Sequence, residues 1–147
     1  MLENISLPEF ELRKDEEGTE KVKASDLTEE GKHILMFLEE SREPTEHILN
    51  EMMEQENAFK DHESKIIFVV QSREALNDPT IKKTLSVFPE IRVYYDRFED
   101  HIELLGRRMY VDHEKLPLII VTDGRLNGIY AASGYNVGTG DMLLRLM

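Results

Sequence analysis

Leu116-Pro117-Leu118-Ile119-Ile120-Val121-Thr122-Asp123-Gly124 is the stretch on which the fold turns. A proline is followed by four apolar residues and a polar turn, which reads as a strand buried on both faces. Asp123 to Gly128 turns the chain, and Ile129-Tyr130-Ala131-Ala132 pairs back as a hairpin. Three apolar runs of strand length lie upstream: Ile34–Leu38, Lys65–Val70 and Ile91–Tyr95. Helical spacing fills the gaps between them. Ser41 to Glu63 has Pro44 in its first turn and a stripe of Ile48, Leu49, Met52, Met53 and Phe59. A second helix starts at Pro79, capped by Asn77 or Asp78, and carries Ile81, Leu85 and Phe88. A third runs from Phe98 to Met109, with Ile102 and Leu105 between them on one face. Gly138-Thr139-Gly140 precedes a last helix, capped by Asp141 and carrying Met142, Leu143, Leu144 and Met147. The order is β-α-β-α-β-α-β-β-α. It implies parallel strands joined by crossover helices, with the hairpin as an antiparallel edge. The expected fold is α/β, a mixed sheet with helices on both faces.

The 147 residues suit one domain, 1–147, with 1–30 as an acidic lead-in and 31–147 as the core. In the lead-in, Ile5 to Leu12 alternates apolar and polar as one half-buried strand, placed at an edge by Pro8. Asp15-Glu16-Glu17-Gly18-Thr19 is a charged turn, and Val22, Ala24 and Leu27 read as a brief second strand and turn. A chain of this length buries about 68% of its unfolded surface and folds without staples. There is no cysteine, which excludes disulfides, thiol catalysis and thiolate metal sites. No apolar run is long enough to span a membrane, and the start lacks the pattern of a signal peptide. Net charge is −12, and residues 1–63 hold 19 acids against 7 Lys and Arg. This balance argues against a nucleic-acid partner, which needs a basic face, and against an anionic membrane surface. A solvated surface accounts for most of these acids.

Several local words in this order resemble the thioredoxin-like superfamily, in its peroxiredoxin-like and membrane-anchored thiol-reductase branch. Leu7-Pro8-Glu9-Phe10 is similar to that branch's N-terminal strand, and Gly31 to Phe37 to the strand that leads into its active site. Leu116 to Gly124 resembles its cis-proline strand and turn, and Gly134-Tyr135 the glycine step before its last helix. The resemblance covers nearly the whole chain and implies a thioredoxin-like fold with a cis Leu116–Pro117 bond. The family's redox word is Cys-x-x-Cys, shortly after the phenylalanine that ends the central strand. Aligned on Phe37, its four positions are Arg42, Glu43, Pro44 and Thr45. Arginine carries no nucleophile, and the threonine hydroxyl stays protonated with no base evident beside it. The resemblance therefore implies the scaffold without thiol–disulfide exchange. Glu43-Pro44-Thr45-Glu46-His47, with an acidic helix behind it, further resembles the cysteine-free thioredoxin-like domain at the C-terminus of some bacterial transglutaminase-like proteins. That likeness implies a piece of a larger, exported protein, outside the cytoplasm, whose catalytic cysteine lies elsewhere.

The expected function is a redox-inactive interaction or structural module, with no cofactor and no catalytic residue of its own. Its partner is a protein or a neighbouring domain of the same polypeptide. The candidate groove is lined by Leu38, Arg42, Pro44, Leu116 and Pro117. The alternative is a small-molecule or peptide-binding domain, or a non-redox enzyme, whose site lies near Arg42, Thr45 and Pro117. Arg42 stands against the positive end of a helix dipole, so it either meets an anion or pairs with Glu39, Glu43 or Glu46.

Other constellations carry less. His33, His47, His62, His101 and His113 include no pair three or four apart, so no helix presents two ligands to a metal, and they read as surface histidines. Asp96, Glu99, Asp100 and Glu103 read as a solvated helix face. The glycine-rich Gly134–Gly140 lacks a phosphate-loop ending and reads as loop closure before a helix. The methionines sit mostly at apolar helical positions and read as core.

Overall fold

The apolar runs become the middle of one eight-stranded sheet in the computed structural model, which describes residues 4–147. The first part of the chain gives β1 (Ile5–Ser6), β2 (Glu11–Arg13), β3 (Lys21–Lys23) and the one-turn helix α1 (Ala24–Thr28). The core follows as β4 (His33–Phe37), α2 (Glu43–Glu54), α3 (Glu56–Lys60), β5 (Ile66–Val70), α4 (Pro79–Val87) and β6 (Arg92–Tyr95). It ends with α5 (Phe98–Arg108), β7 (Leu118–Thr122), β8 (Asn127–Ser133) and α6 (Thr139–Leu146). The sheet order is β1-β8-β7-β4-β5-β6-β2-β3. β4, β5 and β6 are parallel, and β7 and β8 continue the sheet antiparallel.

Every residue of β4, β5 and β7 is buried, which is why these strands read as unbroken apolar runs. Alternate residues feed two core layers. Ile34, Met36, Phe68 and Val121 pack with Ile48 and Met52 of α2, Ile81 of α4 and Leu143 of α6. Leu35, Phe37, Ile67 and Ile120 pack on the other face with Ile102 and Leu105 of α5. Full burial of one such side chain contributes about 1.5–3 kcal/mol.

The structure corrects five expectations. The stretch Ile5 to Leu12 is not one strand. β1 pairs with β8 at one edge, while β2 pairs with β6 and β3 at the other. Leu7 and Phe10 are both buried between them, and Pro8 offers no N–H to a ladder, so the connecting chain crosses the sheet instead of joining it. The hairpin is consequently not an edge, because β1 covers β8. Ala24 and Leu27 are the buried face of α1, not a turn. The expected helix Ser41–Glu63 breaks at Gln55, whose φ of −111° and ψ of 38° separate α2 from α3. It ends in a 3-10 turn at Glu63–Lys65, where the buried Glu63 carboxylate accepts from Glu90 N–H at 2.7 Å and pairs with Lys60 at 3.1 Å. Finally, Asp78 caps α4, but Asp141 does not cap α6: Gly138 holds that position at φ 91° and Asp141 lies in the first turn.

Candidate functional site

Two loops meet at one end of the central strands. The chain leaves β4 at Phe37 and enters α2 at Glu43, with Arg42 at the cap in extended backbone. Ser41 sits at φ 58°, and its N–H donates to Asp78 Oδ2 at 2.8 Å. Asp78 Oδ1 also accepts from Thr80 and Ile81 N–H at 2.9 and 3.1 Å, so one carboxylate both caps α4 and anchors the loop before α2. The second loop reaches β7 through a cis Leu116–Pro117 bond. Gly134, at φ 69°, donates its N–H to both Lys115 and Pro117 carbonyls at 3.0 Å. Neither the N–H nor the C=O of Leu116 has a hydrogen-bond partner among the described residues.

Between the loops is a cleft of about 520 Å³, with Glu39, Arg42 and Pro44 on one side and Leu116, Tyr135 and Asn136 on the other. Two of the expected groove residues, Leu38 and Pro117, do not line it, and neither does Thr45 of the alternative site. Leu38 is fully buried in the core against the α2 layer. Thr45 is fully buried, and its hydroxyl donates to the Glu39 carbonyl at 2.8 Å. Pro117 is buried beneath the loop it shapes. The alternative site near Thr45 and Pro117 therefore has neither residue at its surface. Glu43 points outward and meets His47 at 3.4 Å. Arg42 pairs with Glu39, which offsets its position at the positive end of α2, while 66% of its side chain stays exposed. An exposed pair of this kind contributes about 0–1 kcal/mol, so it leaves the guanidinium available.

Sequence reasoning missed Glu51. Its carboxylate accepts from Tyr135 O–H and from Gly140 N–H, both at 2.6 Å. The hydrogen bond to Glu51 holds the Tyr135 hydroxyl pKa above its ordinary value, and the ring stacks on His47 at 5.1 Å. The N-terminus of α6 is thus occupied by a side chain from α2, which explains how the Gly134–Gly140 loop closes. The signal was Gly140 itself: a Cβ there would lie 2.6 Å from Glu51 Oε1.

Two histidines also depart from the surface reading. His33 is 2% exposed; its Nδ1 lies 2.9 Å from the Gly31 carbonyl, and burial pulls its pKa down. His101 Nδ1 lies 2.8 Å from Asp96 Oδ1, a bond that raises the imidazole pKa. Asp96 is itself 3% exposed, so it does not belong to a solvated helix face. Among the described residues no group of three His, Asp or Glu side chains is placed to hold a metal ion, and no helix is long and apolar enough to cross a membrane.

No protein-family model matches the chain, and no curated protein matches it. Solved structures do. A structure described as a putative thiol:disulfide interchange protein DsbE from Chlorobium tepidum shares 19% identity, with 99% of this chain and 95% of that chain covered at a TM-score of 0.64. The mitochondrial 2-cys peroxiredoxin from Plasmodium falciparum shares 16%, over 97% and 89% of the two chains, at 0.60. A thioredoxin-like protein from Bacteroides caccae shares 14%, at 0.57, over 97% of this chain and 48% of its own. At these identities the likeness is one of fold. The chain has the thioredoxin-like α/β fold, and it has it without a cysteine.

Proposed function

We propose that the protein is a redox-inactive thioredoxin-like module whose cleft between the start of α2 and the Leu116–Pro117 loop receives an extended segment of a partner protein or a neighbouring domain. The observation that carries this reading is the unpaired backbone of Leu116 at the mouth of the cleft, which offers one N–H and one C=O to an added strand. Leu116 and Pro44 supply apolar contact, and Arg42 supplies one cation for a partner's carboxylate. Thiol–disulfide exchange has no nucleophile in this cleft, because Arg42 and Thr45 stand where the resemblance puts the two thiols. The likeness of Glu43–His47 to the thioredoxin-like domain of transglutaminase-like proteins supports a place as an accessory domain of a larger exported protein. In the Bacteroides caccae protein the matching part is about half the chain, so this fold also occurs within a longer chain.

A random library of extended peptides tests this. Selected peptides should shift the amide resonances of Arg42, Leu116 and Gly134. The double variant R42E/L116D should bind them at least roughly tenfold more weakly with an unchanged far-UV circular dichroism spectrum. Selected peptides that shift resonances elsewhere, or bind the double variant normally, would contradict the reading.

A further inference from the structure

A second cleft, of about 430 Å³, lies at the opposite edge of the sheet, between the β2–β3 ribbon and the start of α5. The register of that ribbon places Arg13 directly opposite Lys21 and Glu11 directly opposite Lys23. The second pair is complementary. The first sets two cations side by side, an arrangement that weakens a ladder unless an anion sits near it. Among the described residues neither Arg13 nor Lys21 makes an ion pair. The nearby Glu9 carboxylate is engaged by Ser25 N–H at 3.1 Å. Gly18, at φ 76°, lets the turn after β2 pack on the Arg13 side chain; a Cβ there would lie 3.2 Å from Arg13 Cδ.

The floor of this cleft is Asp96 and His101, beside the ring of Phe10. Asp96 is 3% exposed, one of its oxygens is bonded to His101 Nδ1, and the other, Oδ2, has no hydrogen-bond partner among the described residues. A buried carboxylate oxygen without a donor is costly, so its retention at the wall of a cavity needs a reason. The bond to Asp96 Oδ1 raises the His101 pKa and so favours the imidazolium, whose Nε2–H can join Arg13 and Lys21.

We propose that this cleft binds a small hydroxylated oxyanion, its phosphate or carboxylate group held by Arg13, Lys21 and His101 and its hydroxyl donating to Asp96. Glu9, Glu11 and Asp100 also line the cleft and disfavour a large, multiply charged anion, so the ligand is a small one. The site is independent of the cleft at Leu116, and its failure leaves that reading untouched.

Amide resonances followed during titration with glycerol 3-phosphate, and separately with lactate, test the proposal. At least one should give saturable shifts below about 10 mM, confined to residues 9–25 and 96–101. The tighter of the two identifies the anion as phosphate or carboxylate. The variant R13Q/K21Q should weaken that binding roughly tenfold or more, whereas K82Q/K83Q, which removes the same charge from the exposed face of α4, should not. Inorganic phosphate and acetate, which lack the hydroxyl, should bind more weakly than their counterparts. No saturable shift with either hydroxylated probe, or an equal loss in the two charge variants, overturns the proposal.

Discussion

His33 and His101 are pushed in opposite directions by their surroundings, and each direction has a consequence for stability. The bond with Asp96 raises His101, so the stabilisation it brings is complete below histidine's ordinary value of about 6.5 and is lost as pH rises through the raised folded value. Burial lowers His33, so the folded state resists its protonation, and stability is lost as pH falls from about 6.5 through the depressed folded value. Urea midpoints measured across this range should therefore decline on both sides. H101Q should flatten the alkaline limb and H33Q the acidic one. A curve unchanged by either substitution would contradict the assignment. Neither environment was legible in the sequence. His33 adjoins the apolar run but reads as its polar boundary, and the partner of His101 is five residues away, before the start of α5.

At the level of elements, Asp78 and Phe68 test separate terms. Asp78 accepts two N–H bonds of α4 and one from Ser41. D78A should cost about 1–2 kcal/mol in denaturant unfolding, through loss of the cap, and should loosen the loop that carries Arg42. Phe68 is fully buried at the centre of β5, and F68A should cost about 3–5 kcal/mol through lost transfer energy and the cavity left behind. A loss below about 1 kcal/mol at Phe68 would mean the strand is misplaced. β4, β5 and β7 were legible because they are buried on both faces and carry no competing pattern. The break at Gln55 was not, because its neighbours keep helical spacing through Phe59 and the contact that ends the segment, Glu63 to Glu90, spans 27 residues. The same holds for the cleft: Arg42, Pro44 and Leu116 were legible by their place in the order of elements. Glu51 and Tyr135 were not, since their bond joins positions 84 apart.

Over the whole molecule, the acidic first part is structural. It closes both ends of the sheet, with β1 on β8 and the β2–β3 ribbon on β6, and it buries Leu7, Phe10 and Leu12 against the α5 face. Removing residues 1–30 should expose both edges and part of one core layer, with loss of cooperative thermal unfolding and a tendency to associate on size exclusion. A truncated chain that unfolds cooperatively at the same temperature as the parent would contradict that role. The parallel centre, the cis-proline loop and the start of α2 frame the first cleft, and Arg42 and Thr45 stand where the resemblance would put thiols. Placing thiols there is the direct trial. In an insulin-reduction assay with dithiothreitol, the parent chain should not exceed the buffer blank, and R42C/T45C, whose two residues lie at the cap and in the first turn of α2, should form an internal disulfide and exceed it. Activity in the parent, or a double variant whose thiols stay unpaired under oxidising conditions, would contradict it.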